Sequence, residues 1–317
     1  MKTLRFDWVD IAKGIAIILM VVGHSSIPVS FSRYIWSFHM PLFFVISGFL
    51  YDADKYKNLL FLIKRRMQTL IVPYVFFSII AFIGMYPLEL ATWEELYKGW
   101  NGYALWFIPV LFITEILFNR LYLILRRFNC NIYYTLEMVI LVLLTVGYIL
   151  SQLNIHLVFK QEVVLFALFF YGTGFIFKQL LQKISLSITF ALLSLFLQMV
   201  IVQFMPGIDM ASNRFGCFIP NIMLALWGTI NVILIAKNIS VWKDNIMKKT
   251  LIWAGKNTLI IMGLSQVVNM LLKSVCDTAY IPFSNSIIRH CLLWVVLYVC
   301  SMLFNKYVPI LVGKRNV

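Results

Sequence analysis

Long apolar runs separated by short polar and basic stretches set the pattern of this chain. Ten of them, near residues 8–24, 34–51, 70–88, 103–124, 132–151, 162–178, 184–204, 215–236, 251–272 and 287–305, are candidate membrane spans. Each approaches the ~20 apolar residues that a helix needs to cross a hydrocarbon core about 30 Å thick. None alternates apolar and polar residues over the ~10-residue length of a transmembrane β-strand. The expectation is an all-α integral membrane protein with about ten transmembrane helices, forming a single transmembrane domain over residues 1–317. One segment stands apart. Residues 57–69, KNLLFLIKRRMQT, are helical in pattern and basic, and are expected to lie as an amphipathic helix on the inner membrane surface.

Composition narrows the class. Of 317 residues, 62% are hydrophobic and 13% charged, and the mean hydropathy is +0.88. A soluble domain runs nearer 45–50% apolar and about 25% charged. A soluble enzyme, a disordered tail protein and a disulfide-rich secreted module are all excluded, because one core cannot hide that much apolar surface.

The charge balance, 27 Lys+Arg against 13 Asp+Glu, resembles a nucleic-acid binder until its placement is read. The N-terminus and every second loop hold 19 basic residues, whereas the opposite loops hold 6: Arg33, Lys98, Lys160, Arg214, Lys273 and Arg289. That asymmetry predicts both termini in the cytoplasm of a multi-pass cell-membrane protein. It also explains the basic charge with no nucleic-acid partner. No cleavable signal peptide is expected, since Asp10 and Lys13 interrupt the first apolar run. The five cysteines form no CxxC pair and no metal-like cluster; Cys276 and Cys291, flanking one outer loop, are the pair worth testing for a bridge.

Ionisable groups inside spans are costly and draw attention to function. Asp10, Lys13 and His24 share the first predicted span. Lys13 and His24 fall on one helix face, about 16 Å apart by helical rise, and Asp10 is one turn from Lys13. His39 enters the second span at a depth similar to His24, on the outer side, and nothing in the spacing points to a metal. Other intramembrane polar groups have plainer readings. Glu115 and Asn119 line a cavity or bond to each other, and Glu137 pairs with the Arg126–Arg127 dipeptide. Lys256 snorkels to headgroups, and Asn257 and Gln266 hydrogen-bond between helices. Trp93, Trp100, Trp106, Trp242 and Trp253 are expected in an interfacial aromatic belt.

Three blocks are recognisable: RFDWVDIAKGIAIILMVVGH, YIWSFHMPLFFVISGFLY and IKRRMQTLIVPY. Together they resemble the membrane-bound acyltransferase 3 family, in particular its fucose or polysaccharide O-acetylase branch. The basic residue and the histidine with ten residues between them match Lys13 and His24; the second block matches at His39, Met40, Pro41, Ser47 and Gly48; the third matches at Arg66, Pro73 and Tyr74. Weaker echoes run through ALWFIPVLF, ASNRFG and AGKNTLIIM. Lys13 stands where the family mostly has Arg, and Gln266 where relatives often carry His.

The resemblance implies transfer of an acetyl group from cytoplasmic acetyl-CoA, a co-substrate, to a hydroxyl of an extracytoplasmic or lipid-linked glycan. Lys64, Arg65 and Arg66, together with Lys13, are then expected to bind the CoA phosphates. His24 is expected to be the general base, with His39 orienting the acceptor or His24, or stabilising the oxyanion. Asp10 joins this catalytic set as the charge partner of Lys13. Two other classes compete: a transporter or flippase, for which broken helices are expected and none is visible in the sequence, and a non-catalytic membrane partner.

Overall fold

The computed structural model describes residues 6–25, 27–98, 103–128, 131–153, 157–278 and 286–314, with the side chains of 97, 98, 276–278 and 286 outside that description. Fourteen α-helices are described: α1 Asp7–Gly23, α2 Val29–Phe49, α3 Leu59–Arg66, α4 Val72–Met85, α5 Trp93–Lys98, α6 Phe107–Leu125 and α7 Ile132–Gln152, then α8 Val164–Ile176, α9 Lys178–Lys183, α10 Ile188–Val202, α11 Phe218–Ser240, α12 Ile246–Lys256, α13 Thr258–Thr278 and α14 Ser286–Tyr307. Among the described residues the only extended pairing is an isolated bridge between Asp209 and Arg214. The chain is all-α, as the apolar runs predict.

Among the described residues, seven helical runs have the length and hydropathy to cross a membrane, against the ten predicted. The other three predicted spans are helical too, but α1 has 17 residues, α10 has 15, and α2 carries Arg33, His39 and several serines. Exposed apolar faces mark where lipid would lie. Only 17% of the α14 window and 22% of the α7 window are buried within the protein. Surfaces of that kind need a nonaqueous neighbour.

Two sequence expectations change. Residues 57–69 are not separated from the span that follows: α3 runs through a π-helical turn, Met67–Ile71, into α4, giving one helical run Leu59–Leu88. No glycine interrupts residues 59–72, and Pro73 falls in the first turn of α4, where its missing N–H is tolerated. The predicted span 251–272 is instead broken at Asn257, between α12 and α13. Broken helices are therefore present in this chain.

The chain packs as two compact units: Met1–Leu59 with Ile113–His156 and Gln161–Lys256, and Leu60–Phe112 with Leu157–Lys160 and Asn257–Val317. In the first, α1 lies along α12, α2 and α11, while α2 packs on α8 and α11. Glycines set these approaches. A side-chain carbon at Gly14 would overlap the Leu251 carbonyl, and one at Gly255 would overlap the Asp10 carbonyl. Gly48 and Gly174 do the same for α2 and α8, against the carbonyls of Tyr171 and Val45. Ile11, Ile17, Phe38, Phe44, Phe118 and Phe170 fill the core between them.

In the second unit α4 packs on α13 and α13 on α14. The broken end at Asn257 is satisfied locally: its Oδ1 accepts from Asn305 Nδ2 at 2.9 Å and from Lys314 Nζ at 3.0 Å. Gln266 Oε1 accepts from the Ala104 amide at 2.8 Å. Both polar side chains thus tie elements together, as expected of polar groups in lipid.

Candidate active site

His24 terminates α1. It follows Gly23 as the C-cap, with its backbone N–H bonded to the Met20 carbonyl, and its side chain is exposed. A side-chain carbon at Gly23 would come 3.2 Å from Trp36 Nε1 and 3.4 Å from Ile35 Cγ2, so this end of α1 rests against the turn of α2 that carries Ile35.

That turn also fixes His39. The buried His39 ring places Nδ1 2.9 Å from the Ile35 carbonyl, one helical turn earlier. A carbonyl oxygen only accepts, so Nδ1 must carry the proton. In the neutral ring Nε2 is then a lone-pair acceptor. Of the three roles open to His39 from sequence, donation to an oxyanion is closed to this tautomer.

A third group belongs with them. His39 lies within electrostatic range of His24, and both rings lie within range of the Asp209 carboxylate. Asp209 sits in the connection from α10 to α11, and that connection is built rigidly around its carboxylate. Oδ1 accepts from the Ser212 amide at 3.2 Å and Oδ2 from the Ser212 hydroxyl at 2.6 Å. The Asp209 and Arg214 backbones exchange hydrogen bonds of 2.8 and 2.9 Å, with Asn213 left-handed at φ 54 between them.

The loop is pinned at both ends. Asn221 Nδ2 donates to the carbonyls of Pro206 and Phe215, each at 2.9 Å, and Gly216, at φ 49, leaves room for that amide. Gln203 Nε2 donates to the Ser30 carbonyl at 3.0 Å, and Arg33 Nη1 to the Gln203 carbonyl at 3.3 Å. These bonds hold the end of α10 against the start of α2. Sequence reading missed Asp209. The available signal was local, an Asp followed three residues later by Ser within a Pro- and Gly-bearing connection that includes the ASNRFG stretch.

Asp10 and Lys13 lie apart from this cluster. Asp10 and Lys13, in the first half of α1, form an ion pair of 3.1 Å, with Asp10 buried and Lys13 half-buried. By helical rise Asp10 is about 21 Å from His24, so it acts on Lys13 and not on the imidazole. Lys64, Arg65 and Arg66 close α3 in the other unit, immediately before the π turn, with Lys64 exposed and both arginines half-buried.

Elsewhere, Asn119 donates to Tyr51 Oη at 2.6 Å and to the Tyr56 carbonyl at 2.8 Å. Arg126 approaches Asp54 at 3.7 Å, so the expected partner Glu137 is replaced by a carboxylate on the loop after α2. Trp106 is buried at the start of α6, which removes it from the aromatic belt, while Trp100 lies outside the described residues. Cys217, Cys291 and Cys300 are free thiols, and the Cys276 side chain lies outside the described ones. Among the described residues no three His, Cys, Asp or Glu side chains gather as metal ligands would.

Comparison with known families places the cluster in context. A family model for an acyltransferase domain matches residues 6–311, nearly the whole chain. The chain belongs to the membrane-bound acyltransferase 3 family. Membership covers both packing units, and with seven helices able to span a bilayer it makes this a multi-pass membrane acyltransferase. No curated protein and no solved structure matches the chain. In this acyltransferase, Lys13, His24, His39 and Arg66 occupy the positions on which the resemblance was first drawn.

Proposed function

We propose that this acyltransferase moves an acetyl group from cytoplasmic acetyl-CoA to a hydroxyl of an extracytoplasmic or lipid-linked glycan, in the cell membrane. The observation that carries the reading is the grouping of an exposed His24 with a tautomer-fixed His39 and the braced Asp209 carboxylate, in a chain of an acyltransferase family.

The chemistry follows from those groups. Neutral His24 takes the proton from the acceptor hydroxyl as that oxygen attacks the thioester carbonyl. The C–O bond forms, the C–S bond breaks, and CoA leaves as a thiolate that takes up a proton. General-base assistance of this kind contributes typically 10²–10⁴-fold. The Asp209 carboxylate favours the imidazolium that forms on His24. His39, through Nε2, accepts a hydrogen bond and so orients either the acceptor hydroxyl or His24.

Donor recognition is assigned to Lys64, Arg65 and Arg66. Guanidinium groups suit phosphate because their planar fork bonds it bidentately. Lys13 contributes less to a polyanion than its position implies, because Asp10 already offsets its charge.

Transport is the competing reading. The break at Asn257 does not favour it, because that break is satisfied by Asn305 and Lys314 and needs no ion. The test is label transfer in membranes supplied with acetyl-CoA carrying labelled acetyl. Covalent label on glycan, dependent on this chain, is the expected result. Accumulation of substrate in proteoliposomes with no covalent change would establish transport instead.

A further inference from the structure

The connection leaving α4 holds a feature that the transfer chemistry does not use. After α4 the chain makes a tight turn, Tyr86–Leu88, reverses at Glu89 with φ 58, and re-enters helix at Trp93. The Glu89 N–H donates to the Tyr86 carbonyl and the Leu90 N–H to the Met85 carbonyl, both at 3.1 Å, closing the reversal. Tyr103 Oη donates to the Leu90 carbonyl at 2.7 Å and anchors its far side.

This braced turn carries three aromatic rings in mutual contact. Phe82 and Trp93 are 4.5 Å apart between centroids, Phe82 and Tyr86 4.9 Å, and Tyr86 and Trp93 6.0 Å. Despite that packing, Trp93 is 62% exposed and Tyr86 48%. They border a groove of about 500 Å³ lined by Tyr86, Pro87, Glu89, Ala91, Thr92 and Trp93.

The polar groups of the groove point to its ligand. The Glu89 carboxylate makes no hydrogen bond or ion pair to any described residue. Thr92 Oγ accepts from the Glu95 amide at 3.4 Å and keeps its own proton to donate. Glu94 and Glu95 follow on α5. Three carboxylates in seven residues repel anionic headgroups and phosphorylated ligands. A cage for a quaternary ammonium needs rings on several sides of the cation. Here the rings pack on one another and present a single platform, with a free acceptor and a donor at its edge.

We infer that this groove is a binding subsite for a neutral, hydroxyl-rich glycan, a sugar face stacking on Trp93 and Tyr86 while ring hydroxyls bond Glu89 and Thr92. The inference rests on the glycan-acceptor reading and adds where that acceptor is gripped.

The test uses the full chain in nanodiscs, without acetyl-CoA, titrated with cellohexaose and maltohexaose and read by calorimetry. At least one oligosaccharide binds the wild type. Trp93→Ala weakens that binding about tenfold; Glu89→Gln, which alters only an exposed carboxylate, weakens it severalfold without touching the ring packing. Trp93→Phe retains most of it. In turnover with a glycan acceptor, Trp93→Ala raises KM and leaves kcat near its wild-type value. No binding by wild type, or equal binding by Trp93→Ala and Glu89→Gln, overturns the subsite. So does binding of phosphocholine to the same groove in place of sugar. Because binding is read without the acyl donor, loss of transfer chemistry elsewhere leaves the result interpretable.

Discussion

The Asp209 carboxylate accepts two hydrogen bonds from Ser212 and acts on both histidines from a loop pinned by Asn221. Replacing it with Asn keeps the shape and removes the charge that favours an imidazolium on His24. Asp209→Asn is therefore expected to lower kcat by about tenfold, the effect of ~1.4 kcal/mol at the transition state, with little change in donor affinity. Steady-state kinetics with both substrates varied checks this; an unchanged kcat would remove Asp209 from the account. At this scale the sequence is informative about helices and poor about loops. His24 and His39 could be set at one depth because helical rise and face follow from numbering alone. Asp209 lies 185 residues beyond His24 in a connecting loop, and no periodicity relates them. Likewise the pairing of Lys13 with Asp10 was legible as an i, i+3 step, whereas Arg126 chose Asp54, distant in sequence, over Glu137.

Among the elements, α1, α2, α8 and α12 owe their close packing to glycines whose missing side chains admit a neighbouring carbonyl. Gly48 and Gly174 work as a reciprocal pair across α2 and α8, the helix that carries His39 and its partner. Gly174→Val is expected to destabilise the protein by at least ~2 kcal/mol, since a backbone carbonyl cannot step aside as a side chain can. Gly207→Ala, whose added carbon would only touch the flexible Arg33 stem at 3.6 Å, is expected to be tolerated. Thermal unfolding in detergent compares the two, and equal midpoints would refute the packing argument. Apolar runs marked the long helices in advance, missed the short α5 and α9, and blurred the interruptions. An average over ~20 residues passes through Asn257, whose Oδ1 is bonded by side chains some fifty residues away. The same averaging separated α3 from α4, although no residue between them breaks a helix.

For the whole molecule, the donor and acceptor ends are assigned by loop charge. That assignment predicts residues 89–102 outside and 237–249 inside the cell. In a cysteine-free background, Glu95→Cys should react with a membrane-impermeant maleimide on intact cells, and Asn245→Cys only after permeabilisation. Reversed labelling would invert the direction of transfer and place the glycan groove beside the cytoplasm. The central claim is the role of His24, and its most direct test is acetyl transfer by His24→Ala measured beside CoA binding by the same purified variant. The account predicts loss of transfer by at least ~10²-fold, with expression and CoA affinity close to wild type. Transfer retained near the wild-type rate would contradict it, leaving His24 as a structural cap at the end of α1.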